Sequence, residues 1–376
     1  MKILVTISRI LVGTLFIFSG LVKAIDPLGL AYKMREFFEV WAADGYMPKL
    51  MNWLNDYAVG FSIFMITLEV ALGVALLIGW QKKMTTWLLF LLTLFFTFLT
   101  AFVLFSGKIR ACGCFGDCIP LTPIQTFSKD IILTILIIII LIGQKYIQPL
   151  LKKWMMYTKM IATLLMVFCL QIYVQWYLPL KDCLPYKVGN NILQLRKTPK
   201  DATYDKFFYS YVYKKGIEEK EFGMDQLPDS TWTFVKAGTK KLIEKGNGKV
   251  ALINDFSLTT QSGNDSTEAI LNTESEYYFL FVRDIPTAKH TQWVNDFYTF
   301  YKSKKLPCYY VSANSNNLDA FLSATEKNEI PIFTLDGTAL KTAARSAATL
   351  YKMKGGVVEG KWGCADISKQ LQINNY

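Results

Sequence analysis

Histidine occurs once, at position 290, which argues against a histidine-rich metal site and against a Ser-His-Asp triad. Charge is scarce: Asp, Glu, Lys and Arg make up 19% of the 376 residues, against 52% apolar residues, and this balance excludes disorder, coiled coil and collagen. Seven cysteines are too few for a disulfide-dense scaffold, although Cys112, Cys114 and Cys118 fall close together. There is no nucleotide-binding glycine loop. No basic stripe interleaved with aromatics marks a groove for nucleotides, so no nucleic-acid partner is expected despite a net charge of +11.

The charge that exists is unevenly placed. Residues 1–180 hold 15 Lys/Arg and 8 Asp/Glu, the remainder 26 and 22. The first half also holds the long apolar runs, so the chain divides into a membrane half and a soluble half. Five segments (3–25, 57–80, 84–106, 130–147 and 160–179) match the about 20 residues that a spanning helix needs. The first resembles a signal peptide, with Lys2 and Arg9 ahead of an apolar stretch. Val22-Lys23-Ala24 is a poor cleavage site and four more spans follow, so it is read as retained.

Lysine and arginine in short loops set orientation. Lys2 and Arg9 flank the first span, Lys82 and Lys83 join the second to the third, and Lys152, Lys153 and Lys159 join the fourth to the fifth. All three clusters share one side if the N-terminus is cytoplasmic. Five spans then carry the C-terminal region across a cytoplasmic (inner) membrane, and the lipid bilayer is the first partner implied. In the long loop 26–56, Met34, Phe37, Phe38 and Trp41 recur at helical spacing, the pattern of a short interfacial helix that serves as a lid on the bundle or as a partner-binding surface.

The loop after the third span reads Cys112-Gly113-Cys114-Phe115-Gly116-Asp117-Cys118. On the expected topology it faces the oxidising side, where disulfides persist. A Cys112–Cys114 bond would close a small, strained and easily reduced ring, whereas Cys112–Cys118 or Cys114–Cys118 would be more relaxed. Lys108 and Arg110 lie close in sequence and would favour a thiolate. Redox-active cysteines, a structural disulfide and an incomplete thiolate metal site all remain open on spacing alone. The lack of a nearby histidine counts against the metal, and no metal site is expected. Cys183 follows the fifth span and is a candidate relay thiol or a buried small side chain. Cys169 lies within a span. Cys308 reads as core, with Cys364 as its one conceivable partner.

Glu69 lies deep in the second span, where a carboxylate costs several kcal/mol unless paired, protonated or wet. Lys23 and Arg110 are its candidate partners. The three form a candidate intramembrane polar site, read either as a clasp between helices or as a proton or quinone-headgroup contact.

These residues carry a resemblance. The Cys112-Gly113-Cys114-Phe115-Gly116-Asp117 stretch, with Thr126-Phe127-Ser128-Lys129-Asp130 entering a span, is similar to the MauE branch of the DoxX-like membrane proteins. Arg9 to Gly13, Phe18 to Lys23, Asp26-Pro27 and Leu68-Glu69-Val70 resemble the same group. The resemblance implies a four-helix membrane bundle over residues 1–150. It also implies a link to the maturation of disulfide-rich periplasmic proteins or to quinone-linked or thiol redox chemistry. No motif fixes a quinone, and no other cofactor is indicated.

Beyond a fifth, tethering helix (151–180), residues 181–250 read as a linker and a small β-rich layer, with strands over 207–213 and 231–235. From 251 to 376 a strand (277–282), helix (292–301), strand (307–312), helix (317–325), strand (330–334) and hairpin (349–353 with 357–362) follow in order. That order, with Asp255 to Leu271 and Gly355-Gly356-Val357-Val358, is similar to thioredoxin-like proteins of the thiol-peroxidase and cytochrome-maturation type. This chain departs from them in two places. Segment 283–290 holds no cysteine where those families carry CxxC, and Ala347-Ala348-Thr349 stands where a proline precedes the hairpin. The expected fold is therefore a membrane all-α bundle, DoxX/MauE-like with a fifth helix, followed by an α/β thioredoxin-like soluble domain that does not itself exchange thiols. The expected function is accessory: thiol–disulfide handling or maturation of exported, periplasmic client proteins through Cys112 and Cys114, with Cys118 or Cys183 resolving. The alternative is a non-enzymatic membrane scaffold whose outer domain binds a partner and whose cysteines are structural.

Overall fold

The computed structural model describes residues 1–109, 112–203, 206–216, 218–244, 246–285 and 292–373. Arg110 and His290 lie outside the described residues.

The N-terminal half is helical: α1 (Lys2–Ala24), α2 (Pro27–Ala43), α3 (Pro48–Asp56), α4 (Ala58–Ile78), α5 (Lys82–Ser106), α6 (Pro123–Ile142) and α7 (Lys153–Tyr177). Five of them, α1, α4, α5, α6 and α7, are long and apolar enough to cross a bilayer. Two start earlier than hydropathy implies. α6 begins at Pro123 rather than 130, because Thr122 and Gln125 form a capping box and Pro123 occupies the first turn. Its charged residues Lys129 and Asp130 pair inside the helix instead of ending it. α7 begins at Lys153 rather than 160, since long lysine side chains can extend from a helix end toward the interface.

α1 and α4 pack at close range through small residues. A Cβ at Gly73 would lie 2.9 Å from Gly13 O, so only glycine fits there. Arg9 of α1 then reaches the last carbonyls of α4, donating from Nε to Leu76 O at 2.8 Å and from Nη2 to Leu77 O at 2.7 Å. This satisfies acceptors that a helix C-terminus leaves open. Leu150 N bonds Ile78 O, and Lys82 Nζ bonds Ile147 O, so the lysine-rich clusters gather at one end of the bundle. The other end carries α2, α3, the cysteine loop and the exit of α7. α2 is a lid: Asp26 caps it through Gly29 N at 3.2 Å, and Met34, Phe37 and Phe38 are buried against the bundle.

The C-terminal half is mixed α/β. After α8 (Ile192–Arg196), strands β1 (Lys206–Lys215), β2 (Glu218–Gly223) and β3 (Thr233–Glu244) form an antiparallel sheet in the order β2-β1-β3. Then come α9 (Thr267–Leu271), β4 (Tyr277–Val282), α10 (Gln292–Lys304), β5 (Cys308–Ser312), α11 (Ser315–Ala324), β6 (Ile332–Thr334), α12 (Gly337–Ala343), β7 (Ala348–Lys354), β8 (Val357–Gly363) and α13 (Ile367–Ile373). The five strands from β4 onward pair in the order β6-β5-β4-β7-β8. β4 pairs parallel with β5 and antiparallel with β7. Every side chain of β4 is buried, as a central strand covered on both faces requires. Tyr277, Phe279 and Phe281 pack toward Phe256, Leu258 and α12, while Tyr278, Leu280 and Val282 pack toward α10, α11 and α13.

Candidate functional site

The cysteine loop joins α5 to α6, and its turns place the sulfurs. Gly113 and Gly116 both have positive φ (73° and 60°), and Gly116 N bonds Gly113 O at 2.9 Å. Ser19 of α1 holds the loop from below, donating to Cys114 O at 3.1 Å. Cys112 and Cys114 are free thiols, both buried. The two thiols act on each other, and their electrostatics set them apart. The neighbouring Cys112 thiol, helped by the charges of Lys129 and Lys23, holds the Cys114 thiol below its ordinary value against the cost of burial. The Cys114 thiol, and then burial, push Cys112 well up.

Cys114 lies between two openings. Outward is a groove of about 120 Å³, lined by Gly113, Phe115, Asp117 and Lys33. Inward is a pocket lined by Lys23, Glu69, Lys129 and Asp130, with a water-sized volume of about 20 Å³. Lys23 Nζ sits 2.6 Å from Glu69 Oε2, with both side chains almost fully buried. Lys129 pairs with Asp130, which also accepts from Thr100 Oγ1 at 3.1 Å. The structure thus joins Lys23 to Glu69 beneath the dithiol. It also adds Lys129 and Asp130, whose residue types and spacing alone do not mark them as part of a site. Two ion pairs line the inner pocket, whose water-sized volume does not fit a quinone ring.

Other sequence expectations are redistributed. Cys118 is bonded to Cys183, across 65 residues, and not to a loop cysteine. Neither is therefore a free resolving thiol. Lys108 is taken by Asp44 at 2.5 Å, so the charges that favour the Cys114 thiolate come from Lys129 and Lys23. Cys308 and Cys364 are both free; burial pushes Cys308 up to about 12, the behaviour of an inert core thiol. Cys169 is exposed on α7.

The disulfide lies within an ionic clasp between the two halves. Asp117, beside Cys118, accepts from Arg345 Nη2 at 2.9 Å, and Arg345 Nε donates to Asp26 Oδ2 at 2.9 Å. Asp182, beside Cys183, pairs with Lys361 of β8 at 2.6 Å. Arg345 and Lys361 are each only 4% exposed. Burial raises the Asp26 carboxyl above its ordinary value, against the pull of Arg345. Arg283, just after β4, donates to the Tyr32 hydroxyl of α2 at 3.3 Å. The C-terminal end of β4 therefore faces the bundle.

Comparison with known proteins agrees with this division. A family model described as methylamine utilisation protein MauE matches residues 1–143, the helices α1 to α6 with the cysteine loop. A model described only as a domain of unknown function matches residues 207–245, the three-stranded sheet. Protein TlpB of Flavobacterium psychrophilum is 32% identical over 133 residues, which is 35% of this chain and 34% of TlpB. The chain thus spans about a third of the length of the curated relative it matches. No solved structure matches the chain. The chain is a multi-pass membrane protein whose first 143 residues are similar to the MauE family.

Proposed function

We propose that this is a membrane-anchored thiol–disulfide exchanger for exported polypeptides, with Cys114 as attacking thiolate and Cys112 as resolving thiol. The observation that carries the reading is geometric: two free thiols lie two residues apart, and one of them, Cys114, lines both the outward groove and the inner pocket that holds Lys23 and Lys129, cations that favour its thiolate. Cys114 Sγ attacks a client disulfide, forming one mixed S–S bond as the client bond breaks and the second client sulfur leaves as a thiolate. Cys112 then loses its proton and attacks Cys114 Sγ. This forms the Cys112–Cys114 disulfide and frees the first client sulfur. The client gains two electrons and the loop gives up two. The small ring is strained, so it is readily handed back to a client dithiol in the reverse direction.

The topology follows from the lysine end being cytoplasmic, which puts the cysteine loop and the C-terminal half outside the cytoplasmic membrane. The sheet order, a parallel β4-α10-β5 unit with the β7–β8 hairpin, supports a thioredoxin-like domain. Its segment after β4 carries Arg283 and Asp284 where such domains hold their dithiol, and Ala347 O accepts from both backbone N–H groups. On this reading the domain covers the dithiol of the bundle instead of supplying one.

The test is a trap. With Cys112→Ser, the reduced chain in detergent should form a lasting mixed disulfide at Cys114 with a neutral peptide disulfide, and Cys114→Ser should not. No mixed disulfide in either variant contradicts the proposal. A scaffold role is the second reading, favoured by the burial of Cys112 and Cys114 to 6% and 8% exposure. It predicts that the double Cys112→Ser, Cys114→Ser chain keeps full function in cells.

A further inference from the structure

A cleft of about 490 Å³ opens between α2 and α12, and the exchange chemistry leaves it unused. Its size is that of a ligand pocket. It shares Lys33 and Asp117 with the groove at Cys114. Lys33 also packs on the loop itself: a Cβ at Gly113 would lie 3.2 Å from Lys33 Cγ. A ligand in the cleft is therefore next to the reactive sulfur.

Charge decides what fits. Arg345 is engaged by Asp26 and Asp117, and Lys33 by Glu36 at 2.9 Å. Arg35 and Lys341 have no acidic partner among the described residues. Among the described residues, Arg35 Nε is buried without a hydrogen-bond acceptor, a costly state unless a ligand supplies one. Lys341 Nζ lies 5.8 Å from the centroid of the Tyr32 ring, so an aromatic face belongs to the same wall. Against these two cations stands Glu39, whose side chain, among the described residues, accepts from the Asn55 amide at 3.4 Å.

We infer that the cleft binds an acidic peptide segment of the client, with its carboxylates on Arg35 and Lys341, and so delivers a nearby cysteine to Cys114. A peptide is favoured over a free anion because one ligand must reach both the cations and the thiol groove. The inference rests on the exchange reading, but binding can be measured without exchange.

The full chain carrying Cys112→Ser and Cys114→Ser, in neutral detergent, is titrated with fluorescent decapeptides that place two Glu, two Gln or two Lys beside one cysteine. The Glu peptide should bind at least about tenfold tighter than the Gln peptide, with the gap closing as salt rises. Arg35→Gln should narrow that gap. Lys341→Glu should reverse the preference toward the Lys peptide, a gain that a misfolded chain would not show. Equal binding of the Glu and Gln peptides, or an unchanged preference in Lys341→Glu, overturns the inference. Displacement of the Glu peptide by micellar phosphatidylglycerol also overturns it, and assigns the cleft to a lipid phosphate. The exchange reading fails separately if the wild-type chain forms no mixed disulfide with a neutral peptide disulfide while the Glu peptide still binds.

Discussion

Arg345 of the C-terminal half and Asp117 of the cysteine loop meet at 2.9 Å, although 228 residues separate them. Through this contact the loop that bears the dithiol is held by the domain above it. The same guanidinium takes Asp26, whose other carboxylate oxygen caps α2, so one side chain ties loop, lid and domain together.

Removing that guanidinium should loosen all three. Arg345→Gln leaves Asp26 and Asp117 without their cation. The cost should be on the order of 3 kcal/mol, the low end for breaking a buried pair, because Asp117 is 39% exposed. Hydrogen exchange should rise in the first turn of α2 and in the cysteine loop. Unchanged exchange at both would show that the clasp is not structural.

The Lys23–Glu69 pair is buried at the depth of lipid. Glu69→Gln strands a lysine and should cost about 3–5 kcal/mol. The double change Lys23→Met, Glu69→Leu should recover most of that loss, because it removes both charges. Denaturant unfolding of the three variants in micelles checks this. A double variant as unstable as Glu69→Gln would mean that the pair does more than neutralise itself.

The two thiols should titrate apart. Cys114 is depressed by the Cys112 thiol and by Lys129, so its thiolate forms below the ordinary thiol value and is lost only as pH falls through the depressed one. Cys112 is raised and stays protonated through the neutral range. Iodoacetamide should therefore label Cys114 first near neutral pH, and Lys129→Gln should shift its rate profile to higher pH. Equal labelling of both thiols contradicts the polarity.

The Cys118–Cys183 bond spans α6 and α7. A protease site placed in the 148–152 turn should yield two fragments that run together without reductant and apart with it. Cys118→Ser should release them in both lanes. Separation of the wild-type fragments without reductant would rule the bond out.

Much of this architecture was legible because apolar length and strand composition are local signals. The five spans, the all-buried strand Tyr277–Val282 and the β7–β8 hairpin at Gly355-Gly356 all belong to that class. Shorter and more polar elements were not legible. α12 (GTALKTA) and α13 (ISKQLQI) are two turns each with few apolar residues, and β2 (EEKEFG) is charged, being held by pairing with β1. In the site, Lys23, Glu69, Cys112 and Cys114 stood out by residue type in an unusual place. Arg345, Asp117 and Asp26 did not, because contacts over hundreds of residues leave no periodicity. Lys129 and Asp130 mark the start of the fourth span in the sequence, whereas in the fold they pair within α6, which begins earlier.

The most direct test of the exchange account is thiol trapping in intact cells. Cultures are acid-quenched with and without prior dithiothreitol, and Cys112 and Cys114 are then tagged with a mass-shifting alkylator. The account predicts a mixed population of oxidised and reduced pairs in untreated cells, full reduction with dithiothreitol, and recovery after wash-out. Two thiols that stay wholly reduced under every condition would contradict it.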